Sequence, residues 1–171
     1  MIATRIESSE VLYPKDEIVF VCITDLEELK QQAILNQRQR IRLCTHNSSD
    51  NILHEMFIIH TNECYVRPHK HIGKAESMAV LEGEVDIVLF NDDGTIKNIV
   101  KMGDMYSGKI FYYRIANPIY HMLLIRTKFL VFHEVTQGPF LREQTIFPEW
   151  APKEGDLNVD TFIKHVESLI S

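Results

Sequence analysis

From Leu53 to Val135 the chain is a succession of short apolar, β-branched runs broken by glycine, asparagine and aspartate. Runs near 55–61, 63–68, 77–82, 84–90, 96–101, 110–115, 121–126 and 129–135 read as strands. Glu82-Gly83-Glu84 and Asn91-Asp92-Asp93-Gly94 read as turns between them. Short, even spacing of this kind predicts a mainly β domain, an antiparallel sandwich or barrel.

On either side the period changes. Residues 18–23, IVFVCI, form an apolar run that predicts a further strand. In the following TDLEELKQQAILNQ, Leu26, Leu29, Ala33 and Ile34 fall on one helical face. An amphipathic helix over 25–36 follows, with Thr24 as its cap and Glu27 closing a capping box. Arg38, Arg40 and Arg42 form its charged tail and lead into the turn CTHNSSDN. At the other end, GPFLREQTIFPEWAPKEGD is an irregular aromatic loop. Val159, Phe162, Ile163, Val166, Leu169 and Ile170 then repeat at helical spacing, with Asp156 or Asn158 as cap. The expected organisation is an N-terminal extension over 1–50, a barrel over 51–138, and a C-terminal loop and helix over 139–171.

Bulk properties narrow the function. A chain of 171 residues suits one domain. A net charge of −6 argues against a protein that tracks nucleic-acid phosphates. No apolar run approaches the roughly 18 residues of a membrane span. The first residues lack the basic and apolar regions of a signal peptide, so a cytoplasmic location is expected. Cys22, Cys44 and Cys64 are scattered without CxxC spacing, which predicts reduced thiols serving as small buried hydrophobes.

The chemistry concentrates between Arg67 and Gly83, RPHKHIGKAESMAVLEG. Side chains alternate across a strand, so His69 and His71 share a face. Ile72, Gly73 and Lys74 can turn the chain, and Glu76 can return on the next strand. Two neutral imidazoles and a carboxylate suit Fe(II), Mn(II), Zn(II) or Ni(II). The plainer alternative is a solvated hairpin.

The spacing HxH, four residues, Glu, six residues, Gly resembles the first motif of the cupin superfamily, matched by His69, His71, Glu76 and Gly83. Glu63 stands where that motif has its leading glycine. The resemblance implies one more histidine ligand, and His121 in IANPIYHMLLI takes that place, although Ala116-Asn117-Pro118 replaces the usual turn and Ile125 the usual Asn. A narrower resemblance, to the WbuC-type cupin metalloproteins of bacterial O-antigen clusters, rests on ITDLEELKQQA, RQRIRLCTHNSSDNILHEMFI, YVRPHKH, VLFNDDGTI, HEVTQGPF and FPEWAPKEGD. The chain departs from it at Cys44-Thr45-His46, His54, Pro118 and Tyr120. The resemblance implies a jelly-roll barrel of six to eight strands with a divalent metal in its mouth, and a small-molecule substrate, sugar-derived by analogy with surface polysaccharide synthesis. It implies no known reaction. Small cupins often pair through an edge strand, so a homodimer is expected.

Other residues admit two readings each. His46 and Tyr120 are the candidate catalytic residues: His46 either lines the substrate mouth or donates to a substrate anion, or simply serves its turn, and Tyr120, like Tyr106, is a candidate for the pocket wall. Arg40 and Arg42 form either an anion fork or a solvated helix end. One of His133 and Glu134 must face inward, with His133 a candidate partner for a metal ligand. His54 and His60 read as satisfied or exposed, Lys70 and Lys74 as solvent-facing. Only one of Tyr112 and Tyr113 faces the interior. Phe140, Phe147 and Trp150 staple the tail to the barrel or stack on a sugar. Three functions remain: Lewis-acid isomerisation or epimerisation, Fe(II)-dependent dioxygenation, and metal-dependent binding without turnover.

Overall fold

The computed structural model describes residues 2–170. In chain order the elements are β1 (Thr4–Ser8), β2 (Val11–Pro14), α1 (Ile23–Leu35), β3 (Arg40–Cys44), β4 (Leu53–Thr61), β5 (Lys70–His71), β6 (Glu76–Glu82), β7 (Glu84–Phe90), β8 (Ile96–Gly103), β9 (Tyr112–Ile115), β10 (Tyr120–Ile125), β11 (Phe129–Gln137), β12 (Thr145–Ile146) and α2 (Val159–Ile170). One sheet runs β1-β2-β3-β4-β11-β6-β9 and a second runs β10-β7-β8, with β12 and β5 paired beside them.

Alternation along the strands sorts side chains between three apolar clusters. Met56 and Ile58 of β4, Leu130 and Phe132 of β11, Met78 and Val80 of β6, Val85 and Ile87 of β7 and Leu123 of β10 meet between the two sheets and fill the barrel. The opposite faces of β3, β4 and β11 present Ile41, Leu43, Ile59 and Val131 to Leu29 and Ala33 of α1. The outer face of β7 and β10 presents Val88, Phe90, Tyr120, Met122 and Leu124 to Val166, Phe162 and Ile163 of α2. Each helix thus buries one apolar stripe on one sheet. Between β6 and β7 the chain turns at Gly83 with φ +88°. A Cβ there would lie 2.2 Å from the Phe129 carbonyl oxygen, so only glycine fits.

The expected strand at 18–23 does not form. Ile18 and Phe20 are 70% and 80% exposed, so this apolar run packs on nothing that would hold it extended. The helix starts at Ile23 with Cys22 as cap. The Asp25 carboxylate accepts the Cys22 backbone N–H and its thiol, each at 2.9 Å, which displaces Thr24 and Glu27 from the capping roles. Glu27 pairs instead with Lys30 at 2.7 Å. Cys22 is exposed, whereas Cys44 and Cys64 are buried free thiols.

The arginine-rich stretch is not a helix tail. Gln39 takes φ 54° and reverses the chain, and Arg40–Cys44 enters the large sheet between β2 and β4. The N-terminal segment therefore contributes β1 to β3 to the barrel's own wall. Residues 63–68 stay outside any strand, yet Cys64 and Val66 still pack into the interior.

Candidate metal centre

Three imidazoles converge in the barrel mouth. His69 and His121 sit opposite each other and exchange backbone hydrogen bonds, His69 N–H to His121 O at 3.1 Å and His121 N–H to His69 O at 2.9 Å. His71 follows two residues later on the same face, paired with Thr145 of β12. On β10, His121 alternates inward with Leu123 and Ile125. One ligand nitrogen from each of the three rings lies within 4.8 Å of the others.

The outer ring nitrogens fix this orientation. Nδ1 of His69 donates to Arg67 O at 2.8 Å, and Nδ1 of His121 donates to Ile119 O at 3.0 Å. Nδ1 of His71 meets the Thr145 hydroxyl at 3.2 Å. A carbonyl partner on Nδ1 selects the tautomer whose Nε2 lone pair is free, as a metal ligand requires. Glu76 lies against two of the three rings. Its carboxylate oxygens lie 3.2 Å from His71 Nε2 and 3.0 Å from His121 Nε2, and the Tyr113 hydroxyl donates to it at 3.3 Å.

The electrostatics keep His69 neutral and couple His121 to the Glu76 carboxylate. Burial pushes His69 down to about 3, helped by the neighbouring His121 and His71, so it stays neutral. Burial opposes the charge on Glu76, but His121 and His71 outweigh it and hold the carboxyl well below its usual range. Burial likewise opposes a charge on His121, and the Glu76 carboxylate overcomes it and raises the ring's pKa. Three imidazoles suit Fe(II), Mn(II), Zn(II) or Ni(II), and His69, His71 and His121 would hold the ion, with Glu76 against two of them as the candidate fourth ligand.

The remaining candidates separate. Tyr120 is adjacent to His121 on β10 and so faces the other way. Its ring packs edge-on against Trp150 at 5.8 Å under α2, which removes it from the mouth. Tyr106 is 97% exposed and lines nothing. His46 stacks on His54 at 4.2 Å, with Tyr13 edge-on at 5.5 Å. Its Nδ1 sits at the Glu55 backbone, and burial lowers its pKa. Arg67 donates to the Pro148 and Ala151 carbonyls and lies over Phe147, whose ring stands 6.0 Å from His69. Trp150 packs on Phe90, Tyr120 and Phe162 and donates Nε1–H to Asp92 O, so it staples the tail.

Glu134 and Arg42 are the two residues whose inward direction the sequence leaves open. His133 points outward onto Phe57, while Glu134 alternates inward with Leu130 and Phe132. One row of paired residues crosses the wall as Cys44, Met56, Glu134, Met78 and Tyr113; the next row toward the mouth runs His54, Thr136 and Glu76. Burial and the nearby Glu76 charge push the Glu134 carboxyl up to about 7. Arg40 is bound by Glu10 and Glu154 at 3.2 Å each, but Arg42 turns into the barrel against Met56.

This architecture has counterparts among solved structures. Protein SO0799 from Shewanella oneidensis superposes with a TM-score of 0.53 at 8% identity, over 66% of this chain and 75% of that one. The capsular polysaccharide assembling protein CapF from Staphylococcus aureus superposes with a TM-score of 0.51 at 15% identity, over 67% of this chain and 33% of CapF. Both are cupin jelly-roll proteins. This chain has the cupin fold. In sequence, a family model described as a domain of unknown function, DUF6016, matches residues 21–102, from the α1 cap to the end of β8. The matched stretch carries His69, His71 and Glu76 but not His121. No curated protein matches in sequence. Among the described residues, no helix is long and apolar enough to cross a membrane.

Proposed function

We propose that this cupin is a metal-dependent enzyme acting on a small oxygenated substrate, a sugar or nucleotide sugar of bacterial surface polysaccharide synthesis, by isomerase- or epimerase-like chemistry. The observation that carries the reading is the convergence of three imidazole nitrogens within 4.8 Å, each ring held from behind by its own Nδ1 partner. A divalent ion bound there supplies Lewis acidity toward a carbonyl or hydroxyl oxygen. His69, His71, His121 and Glu76 hold it, and Phe147 with Arg67 walls the centre on the His69 side. Glu134 stands one inward-facing row from Glu76, so its carboxyl is placed to take or give a proton. The sugar assignment is supported by the WbuC resemblance and by the name of CapF. Two copies pairing along an exposed edge strand, β1 or β9, complete this reading.

Elemental analysis of protein purified without added metal tests the centre. About one ion per chain is expected, and His69→Ala with His71→Ala should lose it while retaining the fold by circular dichroism. Full metal retention in that double variant would remove the assignment. Substrate-dependent oxygen uptake by iron-loaded protein would replace isomerisation with oxygenation.

A further inference from the structure

Strand β3 places Arg40, Arg42 and Cys44 on one face, and that face looks into the barrel. Arg38 and Arg40 are each bound by the carboxylates of Glu10 and Glu154. Arg126 is likewise bound by Asp86 and Glu167. Arg42 has no such partner. Its only side-chain contact of hydrogen-bonding type among the described residues is Nη1 to the Met56 sulfur at 4.0 Å, and no carboxylate lies within salt-bridge distance. A guanidinium carries five donors and a charge that cannot be discharged. Withdrawing it partly from water without an oxygen partner is costly unless a ligand completes it.

The position is as informative as the lack of a partner. Met56 pairs with Glu134 across β4 and β11, so the guanidinium reaches the row just below Glu76. Its charge is felt along the β3–β4 face, at Tyr13, Cys44, His46, His60 and Glu134. The imidazole cluster and the guanidinium therefore address one interior from β10 and β5 on one side and β3 on the other.

We propose that Arg42 is an anion-binding residue, and that the ligand of the barrel mouth carries a carboxylate or phosphate which Arg42 grips while its oxygenated carbons face the imidazoles. This deepens the functional reading above and rests on it for the orientation of the ligand, though not for the anion contact itself. It narrows the substrate class from sugars in general to sugar acids, sugar phosphates and other small oxygenated anions. A guanidinium fork matches either group in two parallel hydrogen bonds, whereas a neutral polyol offers it no charge.

Calorimetric titration of sodium acetate, inorganic phosphate and glycerol at constant ionic strength tests this, on metal-free protein and on protein loaded with one equivalent of zinc. The metal-free arm removes direct ligation of the anion by an ion. Saturable binding of acetate or phosphate, with no binding of glycerol, is expected in both arms, and the preferred anion separates a carboxylate from a phosphate ligand. Arg42→Gln should weaken anion binding by about tenfold or more, because the fork's charged hydrogen bonds are lost. Arg42→Lys, a second variant that keeps the charge, should recover part of it. Absence of saturable anion binding in the wild type, equal binding of glycerol, or unchanged affinity in Arg42→Gln would overturn the proposal. Zinc stoichiometry measured on the same samples reports the metal centre separately, so failure of one reading leaves the other standing.

Discussion

Strand β4 spans the barrel, and its two ends meet different kinds of polar chemistry. At one end Arg40, opposite His60, joins Glu10, Arg38 and Glu154 in a network in which each charge has an opposite neighbour. Six residues along, roughly 20 Å away at ~3.3 Å per residue, His54 lies in the same row as Glu76 across β11. There the polar groups turn their free atoms toward a common centre. Charges that satisfy one another hold a fold together; charges that point at a shared space are set to hold something else.

Substitutions should separate the two ends. The largest effect is expected at the mouth, where His121→Ala should take metal affinity below detection by isothermal titration with no matching loss of structure. Trp150→Ala, which removes the staple on Phe90, Tyr120 and Phe162, should cost about 3 kcal/mol. That is a fall of roughly 6–12 °C in Tm for a chain of this size, with metal content unchanged. Thr145→Val withdraws the hydroxyl behind His71 and should weaken metal binding about tenfold; equal affinity would show that the ring is oriented by packing alone.

Asp25→Ala should cost about 1 kcal/mol by uncapping α1. The Cys22 thiol and backbone N–H hold the Asp25 carboxyl down at about 2. Its contribution is therefore present above the ordinary value near 3.8 and lost as pH falls from there toward 2. The variant's acid unfolding curve should lack that segment. The smallest effect is at the paired end, where Glu154→Gln should cost under about 1 kcal/mol, diminishing further in high salt, because its partners are partly exposed.

The fold was legible where period and punctuation agreed. Runs of β-branched residues between Gly83 and Asn91-Gly94 are strands because their alternation has a covered face. It was illegible where composition and context disagreed. The run at 18–23 has strand chemistry but no neighbour to pair with, and Arg40–Cys44 has helix-tail composition but a neighbour on both sides. At the site, HxH and Glu76 declared themselves by spacing, and the structure brings His121 to them from fifty residues away. The inward member of the pair His133 and Glu134 could not be read. Val131 and Phe132 are both buried, one under α1 and one in the barrel, so hydrophobicity marks neither face of β11 as the inside. The same double coverage hid the direction of Arg42, flanked by the buried Ile41 and Leu43.

The reciprocal main-chain bonds between His69 and His121 have a consequence for how the centre loads. Two candidate ligands drawn from distant parts of the chain are spaced by the backbone itself, so little rotational freedom remains to be surrendered when an ion arrives. Stripping with a chelator should then leave a template ready for immediate recharging, with no slow rearrangement between the apo protein and the holo protein.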